Sequence, residues 1–474
     1  MGAALVAWLL VGTLGLIAGP PLGHDEAAYA VAARGDAPTW HYRSSGMAVI
    51  ARIGLALGGR EAALRGVILL LSTGLMLGAF ALGRVAFVEP AQPGGADGTG
   101  RQRTGARTGA WAALVLVGAH PMASRSAELI GDLAAAGFLL GGLAVLLAEL
   151  ERVEDPGTDP DARPDRRRWR VVLAAPLFAC AFYVRYGSAP VFAMIAVLAG
   201  LLYPRKLASA QMVATVGLAA LLFVPHVLHS LAATGSPLGI LEVSAHMPRR
   251  DYVGEGLVTY VTSNPFRFYG ALVTPVMLAG LVSLAKPPPR WRPQLVIILL
   301  ALAQFISLGI QSHGQPRYVF FATALLVIAG TDAIRRYVAA HPIRHGSTLA
   351  LALVAIAWVV LAIAIVPFHR HVAELRAPLY AAAATVREDA RGRSCAIAAN
   401  VVPQLIWATH CQTIVARTAT KLVQPWPAAE LHYIVSVPHA QLVPRVVREV
   451  AATVPGTPHA IAVPDPAAQV WRVE

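Results

Sequence analysis

Apolar residues fall in long blocks along the first 367 positions, separated by short polar connections, and each block is about as long as a bilayer-crossing helix. Eleven blocks are predicted as membrane helices: 2–19, 64–88, 109–123, 130–149, 171–186, 188–203, 209–228, 269–285, 294–311, 318–334 and 347–367. A helix satisfies its own backbone in lipid, so the expected fold class is an α-helical polytopic membrane protein. Between the first two blocks, residues 20–63 hold two stretches too short to span, 27–33 and 47–57. They are predicted to lie as helices at the membrane interface.

Beyond residue 367 the pattern changes. An amphipathic helix is predicted over 369–391, strands over 396–398, 413–415, 433–437 and 460–463, and helices over 403–409 and 441–452. This alternation predicts a small α/β domain at 368–474 behind a membrane domain at 1–367. The small domain has no strong catalytic motif and reads as structural or acceptor-guiding.

Composition agrees with lipid as the main solvent. The 474 residues are 56% hydrophobic and 14% charged, with mean hydropathy +0.58, against about 25% charged residues in soluble domains. The net charge of +13 does not indicate nucleic acid, because the arginines gather in short loops between apolar blocks. Those loops are 89–108, 151–170, 204–208, 286–293 and 335–346. With eleven spans they share one side, which the positive-inside rule makes the cytoplasm of a plasma-membrane protein. Segment 20–63 and the C-terminal domain are then extracytoplasmic. The Gly-rich 89–108 and the Asp-, Pro- and Arg-rich 151–168 are expected to be tethers without a packed core.

Two readings of residues 1–19 are open, a retained span and a cleaved signal. The absence of an early Lys or Arg and the length of the apolar run favour the span. Cys180, inside an apolar block, is expected to be a packing residue. Cys395 and Cys411 can form a disulfide if their domain is extracytoplasmic, or remain free thiols.

Candidate chemistry lies at the outer ends of the spans. His24-Asp25-Glu26 follows the first span directly, and charges beside a bilayer are costly and tend to be functional. Glu128 and Asp132 share a helix face after His120 and Arg125. Arg185-Tyr186 separates two apolar blocks, and His313-Gly314-Gln315-Pro316-Arg317-Tyr318 joins the ninth and tenth spans. Under this topology all four groups reach one membrane face. Each has a plainer reading: helix capping for Asp25-Glu26, an ion pair with Arg125 or Arg185 for Asp132, snorkelling for Arg185, loop packing for His313, and headgroup contact for Arg317. A divalent metal held by Asp25, Glu128, Asp132 and His313 is an alternative that no ligand-spacing motif supports, so no cofactor is expected.

A sugar joined to lipid through phosphate carries its own leaving group. Its transfer needs cations for the departing phosphate and a carboxylate base for the acceptor hydroxyl. The acidic pair after the first span resembles the GT-C superfamily of lipid-dependent membrane glycosyltransferases. Gly-His-Asp-Glu at 23–26 is similar to the Asp-Glu of protein O-mannosyltransferases and to the His-Pro-Asp-Glu of dolichyl-phosphate-mannose-dependent mannosyltransferases. His313-x-x-x-Arg317-Tyr318 resembles the late His…Arg-Tyr/Phe motif of those enzymes and of lipid A aminoarabinose transferases. Asp132 opens the fourth span, where bacterial relatives often have an Asp. Trp40-His41-Tyr42-Arg43-Ser44-Ser45 departs from the Glu/Lys-Pro-Pro element of many relatives.

The resemblance implies an inverting transferase that moves a hexose or pentose from a polyprenyl-phosphate donor to a lipid, glycan or protein acceptor. Asp25 would be the base, Glu26 would support the acceptor or orient the base, and Arg317, with Arg185, His313 and Tyr318, would hold the donor phosphate. His24, Asp132 and Glu128 would support them. The rival classes are a flippase for a lipid-linked saccharide and a non-catalytic scaffold binding cell-wall polymer. No internal repeat of the kind transporters show is evident in the sequence.

Overall fold

The computed structural model describes residues 1–37, 43–88, 98–152, 168–246, 250–288, 291–342, 344–416, 426–438, 440–442, 444–454 and 456–473. Each of the eleven apolar blocks is helical. Among the described residues, six helices are long and apolar enough to cross a membrane: Glu61–Ala86, Asp132–Leu150, Ala210–Thr234, Trp291–Gln311, Pro316–Ala340 and Gly346–Ala390. Gly2–Ile17, Trp169–Val184, Tyr186–Leu202 and Val273–Ala285 are shorter apolar helices, and Gly98–Val117 completes the set. Gly98–Val117 begins inside the stretch expected to be an unstructured tether. Of that stretch and of 151–168, residues 89–97 and 153–167 lie outside the described residues.

Helices in lipid gain little from the hydrophobic effect, so close backbone approach does the packing. Gly137 sits against the backbone of Gly74 and Leu75, and Gly330 against the carbonyl oxygen of Val276. Trp8, in the first helix, is fully buried and donates its indole N–H to Ser72 Oγ at 2.9 Å. Cys180 is a free thiol on the exposed face of its helix, not the packing residue expected. At one end of the bundle the basic connections touch one another: Lys206 donates to the Arg152 carbonyl at 3.2 Å and Arg336 to that of Lys286 at 3.0 Å.

The two short stretches after the first span are the helices His24–Arg34 and Ser45–Ala56. The last membrane helix does not stop at residue 367. Gly346–Ala390 runs for 45 residues through Pro367 and Pro378 and enters the C-terminal domain.

There it covers one face of a five-stranded sheet: β1 Cys395–Ala399, β2 Gln412–Val415, β3 Leu431–Ser436, β4 Pro458–Ile461 and β5 Gln469–Val473. The order is β2-β1-β3-β5-β4. β1 pairs in parallel with β2 and β3, while β5 pairs antiparallel with β3 and β4. Strand β5 carries no alternating signal strong enough to mark it in the sequence. Leu379, Ala382, Ala383 and Val386 pack on Ile397, Tyr433 and Val435 of one face. On the other face, Val446, Val447 and Val450 of helix Pro444–Ala451 pack on Ala398, Ile414 and Ile434. Cys395 and Cys411 form a disulfide with a Cα–Cα distance of 4.9 Å, closing a loop around helix Val402–Thr409.

Candidate active site

Helix His24–Arg34 starts where Gly23 turns extended, and Glu26, three residues on, reaches back to accept the Gly23 N–H at 2.7 Å. Successive helical residues point about 100° apart, so the two adjacent carboxylates face different surroundings. Glu26 faces the core and is 3% exposed. It accepts from Arg65 Nε at 3.1 Å, Arg65 Nη2 at 3.2 Å and the Leu129 N–H at 3.1 Å, with Arg376 Nη1 at 3.4 Å. Burial alone would raise its carboxyl. The Arg65 charge and hydrogen bond, then Arg376, outweigh burial and hold it below the ordinary range. Capping, the plainer reading of the acidic pair, is therefore met by Glu26 alone. Glu26, expected to support the acceptor or to orient the base, fastens the start of its helix to three other segments.

Asp25 faces the other way, onto a cavity of about 590 Å³. Its Oδ1 accepts from Arg43 Nη1 at 3.0 Å and its Oδ2 from Arg317 Nη1 at 3.0 Å. His24 Nδ1 lies 3.4 Å from Oδ1. Burial pushes the carboxyl up, but the His24 hydrogen bond and the Arg43 and Arg317 charges hold it well below the usual carboxylate range. Asp25 is thus ionised and held between two cations, with 34% of its side chain open to the cavity.

Two further expected residues share that wall. Arg185 has an extended backbone that interrupts the helices on either side of it. Its Nη1 lies 2.9 Å from Asp132 Oδ1, and its guanidinium stands 5.2 Å from the Tyr318 ring centroid. Asp132, at the first position of helix Asp132–Leu150 and 4% exposed, is the partner that keeps Arg185 in place. The cavity is also lined by the apolar Ala189, Pro190, Leu238, Leu241 and Leu308. Helix Gly239–His246 supplies Leu241 and Glu242 to this lining.

Asp25, His24, Arg185, Arg317 and Tyr318 therefore converge on one cavity. His313 sits beside Tyr318, ring centroids 5.9 Å apart, with Nε2 2.9 Å from Gln315 Nε2, and does not line the cavity. Nor does Glu128, which accepts from Arg125 Nη1 at 3.0 Å; burial pushes its carboxyl up by more than Arg125 pulls it down. Among the described residues, no three His, Cys, Asp or Glu side chains come together as a metal site. Arg43 was not anticipated. It lies in the stretch where a carboxylate or proline pair was sought, and the neighbouring 38–42 fall outside the described residues. An arginine following Asp25 by 18 positions in the same outer loop was the available signal. Tyr29, one helical turn from Asp25, also lines the cavity, with the Arg43 guanidinium 5.5 Å from its ring.

No family model matches this chain, and no curated protein matches its sequence. Solved structures do match its fold. ArnT from Cupriavidus metallidurans, bound to undecaprenyl phosphate, superposes with a TM-score of 0.65 at 17% identity, over 99% of this chain and 96% of that one. The Archaeoglobus fulgidus oligosaccharyltransferase tethered to an acceptor peptide gives 0.56 at 15%, over 87% and 63%. The arabinofuranosyltransferase AftD from Mycobacteria gives 0.55 at 12%, over 100% and 39%. All three are GT-C glycosyltransferases, and this chain has the GT-C fold.

Proposed function

We propose that this protein is a membrane glycosyltransferase that moves a sugar from a polyprenyl-phosphate-linked donor to an acceptor hydroxyl, with inversion at the anomeric carbon. The observation that carries the reading is the Asp25 carboxylate held between Arg43 and Arg317 on the wall of a cavity lined by both charged and apolar side chains. The apolar side chains suit a prenyl chain, and the arginines suit its phosphate. The fold shared with ArnT, whose structure contains undecaprenyl phosphate, supports the same donor class.

The acceptor oxygen attacks the anomeric carbon as the bond from that carbon to the phosphate oxygen breaks. Polyprenyl phosphate departs with the electron pair, and the acceptor proton passes to Asp25. Attack from the face opposite the leaving group inverts the centre. Arg317, Arg43 and Arg185 neutralise charge building on the phosphate, where a preorganised donor typically gives a factor of about 10²–10³. General base catalysis by Asp25 adds about 10²–10⁴.

The resting geometry also sets the order of events. An Asp25 carboxylate satisfied by two arginines is a weak base. A donor phosphate competes for those arginines, and as they turn to it Asp25 regains basicity. Asp132 and Glu26 are positioning residues, acting through Arg185 and through the base's helix. The cavity opens on the extracytoplasmic side under the positive-inside reading. The acceptor is a hydroxyl on a lipid, glycan or protein.

The test is transfer of radiolabelled sugar from polyprenyl phosphate in membranes containing the wild type or Asp25→Asn. The wild type should transfer and the variant should lose at least about 10²-fold at unchanged expression and insertion. Transfer by Asp25→Asn at the wild-type rate would remove Asp25 from the mechanism.

A further inference from the structure

Among the described residues, the C-terminal domain contributes no side chain to the cavity wall, yet it grips the helix that carries Asp25 at both ends. At the start, Arg376 donates to the Pro21 carbonyl and Tyr380 donates to the Leu22 carbonyl at 2.9 Å, both from the long helix Gly346–Ala390. At the far end, Arg34 donates to the carbonyls of Ile406 and Trp407 at 3.0 and 3.2 Å, and its guanidinium stacks 4.4 Å from the Trp407 ring centroid. Trp407 Nε1 donates to Glu61 Oε1 at 2.9 Å, joining the same point to the start of membrane helix Glu61–Ala86. Between these ends, Val31 is fully buried against Val402 and Ile406. Val402, Ile406 and Trp407 all belong to helix Val402–Thr409, the loop that the Cys395–Cys411 disulfide closes.

We infer that Trp407 is a positioning residue for the base: the disulfide-closed helix sets the seat of helix His24–Arg34 and hence where the Asp25 carboxylate stands between Arg43 and Arg317. The physical argument is leverage. Arg34 lies nine residues beyond Asp25 on one helix, about 14 Å, so its anchorage fixes the tilt and the roll of the helix about its own axis. A helix released at Arg34 can roll, and because the Asp25 carboxylate projects sideways from that axis, roll swings it relative to two arginines anchored elsewhere. A displacement of about 1 Å at a reacting group costs about 10²-fold in rate. The disulfide confers this role because it keeps helix Val402–Thr409 from moving away from its strands when Arg34 pulls on it.

Two readouts test this on the full chain in lipid nanodiscs, and only the second depends on the glycosyltransferase reading. The first is amide hydrogen exchange. In Trp407→Ala, peptides covering 24–34 should exchange at least about tenfold faster than in the wild type, with the membrane helices unchanged. Wild-type protein treated with a phosphine should show the same change. The phosphine takes the oxygen of one water to become its oxide, and both sulfurs leave as thiols. The second readout is turnover. Trp407→Ala should lower kcat about 10- to 100-fold with donor affinity within twofold, and Trp407→Phe, which retains the ring under Arg34, should recover most of it. Unchanged exchange over 24–34 in both Trp407→Ala and the reduced protein overturns the inference, as does a loss of donor affinity that parallels the loss of rate. A wild type that transfers no sugar while the exchange change is observed overturns the enzymatic reading and leaves the mechanical one standing.

Discussion

Asp25 and Glu26 are neighbours in sequence, and the structure predicts opposite consequences for neutralising them. The perturbation is a matched pair of isosteric changes, Asp25→Asn and Glu26→Gln. Glu26 is 3% exposed and compensates Arg65, itself 7% exposed at the side chain. Glu26→Gln leaves that guanidinium buried without its counter-charge, and breaking one partner of a buried pair costs about 3–5 kcal/mol. Asp25 is a third open to a water-accessible cavity, where the cost is nearer that of exposed pairs, about 1 kcal/mol. Thermal unfolding of purified protein, followed by fluorescence, should show Glu26→Gln melting about 3–5 °C below the wild type and Asp25→Asn within about 1 °C of it. Sugar transfer at a temperature where both are folded should show the reverse order, with Asp25→Asn inactive. The pH dependence has a defined sign. The Glu26 carboxyl is held below its unfolded value, so its stabilisation is fully present above about pH 5 and falls as acid protonates the folded group. The wild type should therefore lose stability on acidification over a range where Glu26→Gln does not. A Glu26→Gln protein as stable as the wild type, or an Asp25→Asn protein that is the less stable of the two, refutes the division of labour between the two carboxylates.

Three other outcomes are expected. Arg43→Ala removes a cation that lowers the Asp25 carboxyl, so the acid limb of the kcat/KM profile should move to higher pH while donor affinity falls about tenfold; an unmoved limb would separate Arg43 from the base. Transfer should persist in excess chelator, and a loss restored only by magnesium or manganese would show that a metal supplies charge the arginines do not. Gly330→Ala drives a methyl into the Val276 carbonyl oxygen, whereas Gly200 has nothing within 4 Å. Melting curves should show Gly330→Ala destabilised by at least about 1–3 kcal/mol and Gly200→Ala near neutral, and equal melting would refute the close helix contact.

The helices were legible because lipid imposes a length and a polarity on every span, so each apolar block returned as a helix. Site residues were legible where the charge was isolated in apolar surroundings, as for Asp25, Arg185 and Arg317. What the sequence could not show was pairing. Arg43 becomes part of the site only because its loop returns to Asp25, and nothing local encodes that return. Arg65 was read as part of an apolar block and Arg376 as part of an amphipathic face, yet both exist to neutralise Glu26. The different directions of Asp25 and Glu26 were readable from helical geometry, which separates adjacent side chains by about 100°. Strand β5 was missed because Val470-Trp471-Arg472-Val473 has no clean alternation; pairing with β3 and β4 defines it.

The unbroken helix Gly346–Ala390 has 45 residues, about 68 Å at 1.5 Å per residue, while a hydrocarbon core is about 30 Å thick. Roughly half of it therefore stands clear of the lipid like a mast, and Arg376 and Tyr380 are fixed to the emergent half. The immersed half settles at the depth its apolar length dictates, and the mast carries that depth directly to Pro21 and Leu22 beside Asp25. Bilayer thickness thereby becomes a mechanical input to the carboxylate on the cavity wall, and the lipid around this protein part of that cavity's geometry.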